Sequence, residues 1–357
     1  MSEAFANTLL MLTPIGSGLL ALLLIVLFTP FAKSLRLLDE PSARKKHVSP
    51  VPMVGGISIY LAVLATLLVI APPEKLGWLI AAGSILVVVG FLDDVFELGV
   101  KTRFFAQSVA TLVMLAGSNL WITSVGIDLL GLNSLGFLGL ALTLIAVVGL
   151  TNAFNMADGI DGLAAGHAMI GLILIGSTMW FVHGKVWHIE WLTMFFSACL
   201  AFWLVNMSLT PLKRVFLGDA GSLYLGFVIA WMLIYFSQQP VSKIEPVAAL
   251  WCVAIPVWDT LVVMARRIKN GRSPFAPDRN HFHHLLFDMG MSARLALAVI
   301  LGVSVVISAF GIWLTYAVSP IASLMAYAAL FLIFGYGMLH PSLEKQLALK
   351  LRLIDAP

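Results

Sequence analysis

Ser134-Leu-Gly-Phe-Leu-Gly-Leu-Ala-Leu-Thr-Leu-Ile-Ala-Val-Val-Gly-Leu-Thr151 carries no charge. The twelve residues that follow, Asn152-Ala-Phe-Asn-Met-Ala-Asp-Gly-Ile-Asp-Gly-Leu163, carry two aspartates, two asparagines and two glycines. An uncharged run of this kind approaches the about 20 residues that take an α-helix across bilayer hydrocarbon. Inside hydrocarbon each ionised aspartate costs roughly 2.5–3.5 kcal/mol. The polar stretch is therefore a turn at the membrane surface or a segment that handles something polar.

The rest of the chain favours the membrane. Of 357 residues 60% are hydrophobic and 11% charged, with a mean hydropathy of +0.99; a soluble chain carries about 25% charge. The apolar runs are long enough for helices rather than barrel strands. The fold expected is an all-α integral membrane protein, a polytopic bundle of about eleven transmembrane helices. The spans fall near 14–33, 52–71, 76–92, 104–122, 134–152, 162–182, 189–207, 218–237, 245–264, 293–315 and 319–339. No long soluble insertion separates them, so residues 1–357 read as a single membrane domain. Cys199 and Cys252 lie inside apolar runs and read as small packing residues. The first run has no basic stretch and cleavage site before it, so it is expected to stay as a helix.

Lysine and arginine set the orientation, because they collect on the cytoplasmic side. With the N-terminus outside (periplasmic) and the C-terminus cytoplasmic, 18 of the 21 basic residues fall inside; only Lys75, Lys185 and Lys243 fall outside. The same choice brings every unusual polar motif to the cytoplasmic face, where a cleft is expected to form the active site. These motifs are Arg44-Lys-Lys-His47 with Pro52-Met-Val-Gly-Gly56, Asp93-Asp94-Val-Phe-Glu97, the 152–163 stretch, Phe216-Leu-Gly-Asp-Ala-Gly-Ser222, and Ser273-Pro-Phe-Ala-Pro-Asp-Arg-Asn-His-Phe-His-His284.

Asp93, Asp94 and Glu97 share one helical turn. Three carboxylates there are either a solvated helix end or a site for a hard cation, Mg²⁺ or Mn²⁺, shared with substrate phosphates. Gly218 to Ser222 opens a helix whose free N–H groups suit phosphate, with Asp219 as a metal ligand or as the N-cap. His281, His283 and Arg279 form a hydrogen-bonding, basic hand for a diphosphate. The positive-inside rule already accounts for Arg266, Arg267, Lys269 and Arg272. Lys46 shares that ambiguity, although His47 and Gly55-Gly56 point to a shaped site. Asp259 lies inside a span, which makes it a functional candidate. Acids, phosphate-binding helix ends and cations on one face fit phosphoryl transfer. An ion-coupled transporter is the alternative from another class, but transporters place their acids near the bilayer midplane. Nothing points to nucleic acid.

From about residue 35 to 290 these motifs, in this order, resemble the polyprenyl-phosphate N-acetylhexosamine-1-phosphate transferases, the superfamily that includes the phospho-MurNAc-pentapeptide translocase. The Ser273–His284 stretch looks like the branch that transfers GlcNAc-1-phosphate to undecaprenyl phosphate, and it lacks the translocase's three consecutive histidines. Phe282 stands where an aliphatic residue is expected. The resemblance implies a bacterial inner-membrane enzyme, dependent on Mg²⁺ or Mn²⁺. It would convert UDP-GlcNAc and undecaprenyl phosphate to GlcNAc-diphospho-undecaprenol and UMP, a first membrane step of O-antigen or common-antigen type polysaccharide synthesis. The same reaction with another UDP-N-acetylhexosamine is the alternative within the class. By the same resemblance Asp219 binds the metal, with Asp94 assisting. Asp93 and Asp94 position or deprotonate the lipid phosphate, and Asp158 and Asp161 lie toward the uridine. Asn155 lies nearer the metal, and Phe216 stacks on the uracil. Lys46, His47, Arg279, His281 and His283 hold phosphates or sugar. The resemblance is compatible with a homodimer and leaves open direct attack or a covalent aspartyl intermediate.

Overall fold

The computed structural model describes residues 3–40, 49–70, 74–127, 134–238, 240–275 and 281–340. Among these the chain is helical apart from loops and one two-residue antiparallel ladder, in which Leu38 pairs with Pro52 and Asp39 with Val51. The helices are α1 (Glu3–Phe28), α2 (Gly55–Ile70), α3 (Glu74–Phe96), α4 (Val100–Ser118), α5 (Phe137–Ala157), α6 (Leu163–His183) and α7 (Ile189–Asn206). They continue with α8 (Gly218–Ser237), α9 (Pro246–Trp251), α10 (Ala254–Lys269), α11 (Phe282–Asp288), α12 (Ala293–Ala317) and α13 (Pro320–Leu339).

The bundle is built around α8. Beyond its first turn this helix is apolar around its whole circumference, and such a helix belongs in an interior. It is buried along its length, with α2, α3, α5 and α6 against it. In a membrane, helices gain contact by bringing backbones close at small residues. A Cβ on Gly90 of α3 would collide with the backbone of Ala220, and one on Gly56 of α2 with the backbone of Gly221. A second core joins α9, α10, α12 and α13, where Trp251 and Trp258 meet the Tyr327 ring edge-on at 4.9 and 5.1 Å. The outer faces of α1, α12 and α13 expose Leu19, Val306 and Leu332, which suits helices that meet lipid.

Eight helices among the described residues are long and apolar enough to cross a membrane: the Leu12–Phe31 segment, α3, α5, α6, α7, α8, α12 and α13. The other three expected spans differ. The helix α2 has only 16 residues, and α4 carries Lys101 and Arg103 in its first turn. Span 245–264 is broken in two at Cys252–Val253. Proline lacks an N–H and crowds the carbonyl four residues before it, and for Pro256 that residue is Cys252.

Gly90→Ala should lower the unfolding midpoint in detergent, by about 1–3 kcal/mol for an overpacked contact. Gly77→Ala in the same helix meets nothing within 4 Å and should be neutral or stabilising. Equal effects from the two would remove the α3–α8 approach as a constraint.

Candidate active site

The polar residues collect where α3 ends, α4 begins and α8 begins. Asp93 is buried; its Oδ1 accepts from the Leu98 N–H at 2.6 Å and its Oδ2 from Arg103 Nη1 at 3.0 Å. Asp94 reaches across to α8 and accepts from the N–H groups of Asp219 at 2.8 Å and Ala220 at 3.3 Å. The helix end that the sequence offers to phosphate is thus held by a carboxylate of the protein itself, a ready partner for the positive end of the dipole. Gly218 permits this approach: its φ is +72°, and a Cβ there would lie 2.6 Å from Asp94 Oδ2. The three-carboxylate face does not form. The helix α3 stops at Phe96, and Glu97 turns away, exposed, at a φ of +53°. Nor is Asp219 the N-cap; Leu217 occupies that position. Asp219 Oδ1 accepts from Asn155 Nδ2 at 2.6 Å, and its Oδ2 lies 3.9 Å from Arg103 Nη1. Asn155 also donates to Ser222 Oγ at 3.0 Å.

The 152–163 stretch forms the next wall. Asp158, just past the end of α5, keeps an exposed face. Desolvation on its protein side, followed by repulsion from Asp219, Asp94 and Asp161, pushes its carboxyl above the ordinary range. Asp161 Oδ2 accepts from Arg214 Nη1 at 2.8 Å, and the same guanidinium sits 4.9 Å over the Phe216 ring. Phe216 is tied by its backbone to Pro52 and Gly55 at 2.8 and 3.0 Å. Gly55 therefore serves the packing of α2 on Phe202 of α7 and Gly56 that on Gly221 of α8, and no ligand is needed to explain them. Asn152 hydrogen-bonds with the buried Gln107 of α4.

The histidine loop closes a third side. His281 Nδ1 meets Asp259 Oδ2 at 2.8 Å, and the Phe282 N–H donates to Asp259 Oδ1 at 2.8 Å. His283 is buried with its ring against Gly159, where a Cβ would lie 2.5 Å from Cε1. Burial, then the adjacent His284 and His281, lower its pKa to about 3 against a smaller opposing pull from Asp259. His283 is thus a neutral hydrogen-bonding group at physiological pH. Lys46, His47 and Arg279 lie outside the described residues.

One cavity of about 830 Å³ opens from this centre. Arg103, Asn155, His281 and Arg267 stand on its wall, and apolar residues, many of them from α5, α8, α9 and α10, line most of the remainder. It continues to Ile122, Gln238 and Pro246 near the far end of α8. Arg267 is a residue that the sequence reading misses: it is only 5% exposed, and its Nη1 donates to Pro274 O at 2.6 Å. The positive-inside rule likewise accounts in sequence for Arg103 and Arg214. Among the described residues no three His, Cys, Asp or Glu side chains gather as a metal-binding group. A hard cation that takes one or two carboxylates and completes its shell with substrate phosphates fits Asp219 better than a closed protein cage.

A family profile described as glycosyl transferase family 4 matches residues 76–237. Three relatives are named undecaprenyl-phosphate alpha-N-acetylglucosaminyl 1-phosphate transferase. The one from Escherichia coli O157:H7 is 37% identical over 311 residues, covering 85% of this chain and 84% of the relative. The one from Yersinia pestis is 36% identical over 307 residues, covering 84% and 83%. The one from Haemophilus influenzae is 33% identical over 326 residues, covering 90% and 91%. The chain belongs to glycosyl transferase family 4. The family match spans α3 to α8, the segment that carries Asp93, Asp94, Arg103, Asn155, Asp158 and Asp219. The histidine loop and Asp259 lie beyond it in sequence and join the family's site through the fold.

A carboxyl with a raised folded pKa costs no stability below its ordinary value of 3.8. Above that pH the unfolded chain releases the proton while the fold retains it, so stability falls as pH rises toward the folded pKa. Asp158→Asn should therefore match the parent's unfolding midpoint near pH 4 and exceed it increasingly toward pH 8. A difference that stays flat with pH would rule out a protonated Asp158 in the fold.

Proposed function

We propose that this protein transfers GlcNAc-1-phosphate from UDP-GlcNAc to undecaprenyl phosphate at the cytoplasmic face of the membrane, releasing UMP. The observation that carries this reading is the cavity: a largely apolar channel of about 830 Å³ whose wall also holds Arg103, Arg267, His281 and Asn155, the last bonded to Asp219. A long hydrocarbon bearing one phosphate matches that division, and the shared name of the relatives supports it. The remaining spans and the N-terminus-out orientation follow from the basic residues, with Lys75, Lys185 and Lys243 on the opposite side.

In this reading an oxygen of the lipid phosphate attacks the β-phosphorus of UDP-GlcNAc, and the bond from that phosphorus to the bridging oxygen breaks. Such transfers depend on positioning and on charge neutralisation. Arg103, pinned by Asp93, faces both Asp219 and the cavity, where it would receive the lipid phosphate. Mg²⁺ or Mn²⁺ held by Asp219 beside Asn155, with Asp94 nearby, would neutralise the diphosphate. Asp158, Asp161 and Phe216 would take the uridine, with Arg214 yielding the Phe216 face. His281, His283, Lys46, His47 and Arg279 would take the sugar and its phosphates. Both oxygens of Asp93 and of Asp94 already accept from protein donors, which favours direct attack over an aspartyl intermediate.

Purified protein with undecaprenyl phosphate and Mg²⁺ should release UMP from UDP-GlcNAc faster than from other UDP-N-acetylhexosamines. Asp219→Asn should cut that rate by at least about a hundredfold, since even outer-shell changes at metal sites cost about 10–100-fold. An absence of UMP release by the parent protein, or a near-normal rate for Asp219→Asn in folded protein, overturns the respective assignment.

A further inference from the structure

Asp259 makes none of the substrate contacts assigned above, yet it sits buried on α10 in an apolar helical segment. A carboxylate at such a place persists only if its oxygens find donors. Both do, and both donors belong to one short stretch: His281 Nδ1 on Oδ2 and the Phe282 N–H on Oδ1, each at 2.8 Å. His281 is the N-cap of α11, and Phe282 is its first residue. One carboxylate thus fixes where α11 starts and how the ring ahead of it is turned.

An imidazole has two nitrogens, and the bond made by one decides what the other offers. A carboxylate only accepts, so the His281 proton toward Asp259 is on Nδ1. That leaves Nε2 as the nitrogen available to a ligand, and His281 stands on the cavity wall with Arg103, Asn155 and Arg267. The ring is also steadied from the side: His283 lies parallel to it, 4° between planes and 5.8 Å between centroids. We infer that Asp259 is a positioning residue for the transfer reaction, setting the tautomer and orientation of His281 so that Nε2 meets the substrate. The inference rests on the proposed phosphosugar transfer for its catalytic consequence, and on geometry alone for the tautomer.

Asp259→Asn separates positioning from simple support. The amide can keep the α11 contact by accepting from the Phe282 N–H through Oδ1. Its Nδ2–H then donates to His281 Nδ1, which drives the proton to Nε2. The expected result is an unfolding midpoint close to the parent's, with kcat for UMP release lower by about 10–100-fold and KM for UDP-GlcNAc little changed. In a His281→Ala background the same change should cost nothing further. NMR of isotope-labelled histidine ring nitrogens, with His281 assigned by its loss in His281→Ala, should show Nε2 unprotonated in the parent and protonated in Asp259→Asn. A parent with Nε2 protonated, a near-normal kcat for Asp259→Asn, or a full additional loss in the His281→Ala background overturns the inference. If the parent releases no UMP while the tautomer change is seen, the transfer reading fails and the positioning of His281 stands.

Discussion

The carboxylate of Asp94 on the first N–H groups of α8 is the contact on which the site depends. The first four N–H groups of any helix lack partners within it. Water cannot reach the start of a buried helix freely, so an acceptor must come from a neighbour. Asp94 supplies two of those bonds, and its negative charge suits the positive end of the helix. The contact fixes the end of α3 against the start of α8, and the neighbouring residues follow. Asp93, one residue earlier, is left to hold Arg103, while Asp219, whose backbone is held by Asp94, points its side chain at Asn155. The glycines at 56, 90 and 218 are the steric condition, because each removes a Cβ that would keep these backbones or the carboxylate apart.

The charge around this contact also limits the chemistry. Asp93, Asp94, Asp158, Asp161 and Asp219 share the cleft with the guanidiniums of Arg103, Arg214 and Arg267. Asp93 and Asp161 each have a guanidinium within about 3 Å, whereas desolvation and the neighbouring acids raise the pKa of Asp158. A nucleotide diphosphate and a lipid phosphate would bring further negative charge into a region already rich in it. Repulsion of that kind is relieved by a divalent cation bridging acid and phosphate. A metal would answer that surplus of carboxylates, and Asp219 is the proposed place for it: its Oδ1 accepts from Asn155, and its Oδ2 lies 3.9 Å from Arg103 Nη1.

Much of the bundle was legible because the membrane leaves few options: long uncharged runs must be helices. The break between α9 and α10 was written in Pro256, but hydropathy averages over single residues and counts the segment as one span. The acids were legible as well, since an aspartate beside hydrocarbon has few innocent explanations. The arginines were not. Topology and ligand binding both place them at cytoplasmic span ends, so Arg103, Arg214 and Arg267 look alike in sequence to Lys269. Only burial and partners separate them. Glu97 fails for a different reason: helical spacing assumed that α3 continues, and the chain turns left-handed one residue after its end.

Under the proposed transfer two substrates of opposite solubility must meet at a fixed place, and α8 supplies the ruler. From Asp219 to Gln238 is 19 residues, about 28 Å at 1.5 Å per residue, and the cavity follows that length from Asn155 to Gln238. At the far end Gln238 Oε1 accepts from Thr123 N, Thr123 Oγ1 and Ser124 N at 2.9–3.1 Å, tying the loop after α4 to the same rod. A helix buried on all sides cannot slide relative to its neighbours without losing the glycine contacts at its start. A hydrocarbon lying along it therefore has its depth set by the same element that carries Asp219. In the proposed reaction the phosphate would be brought to the acid by the register of the chain in the groove as well as by the charges that receive it.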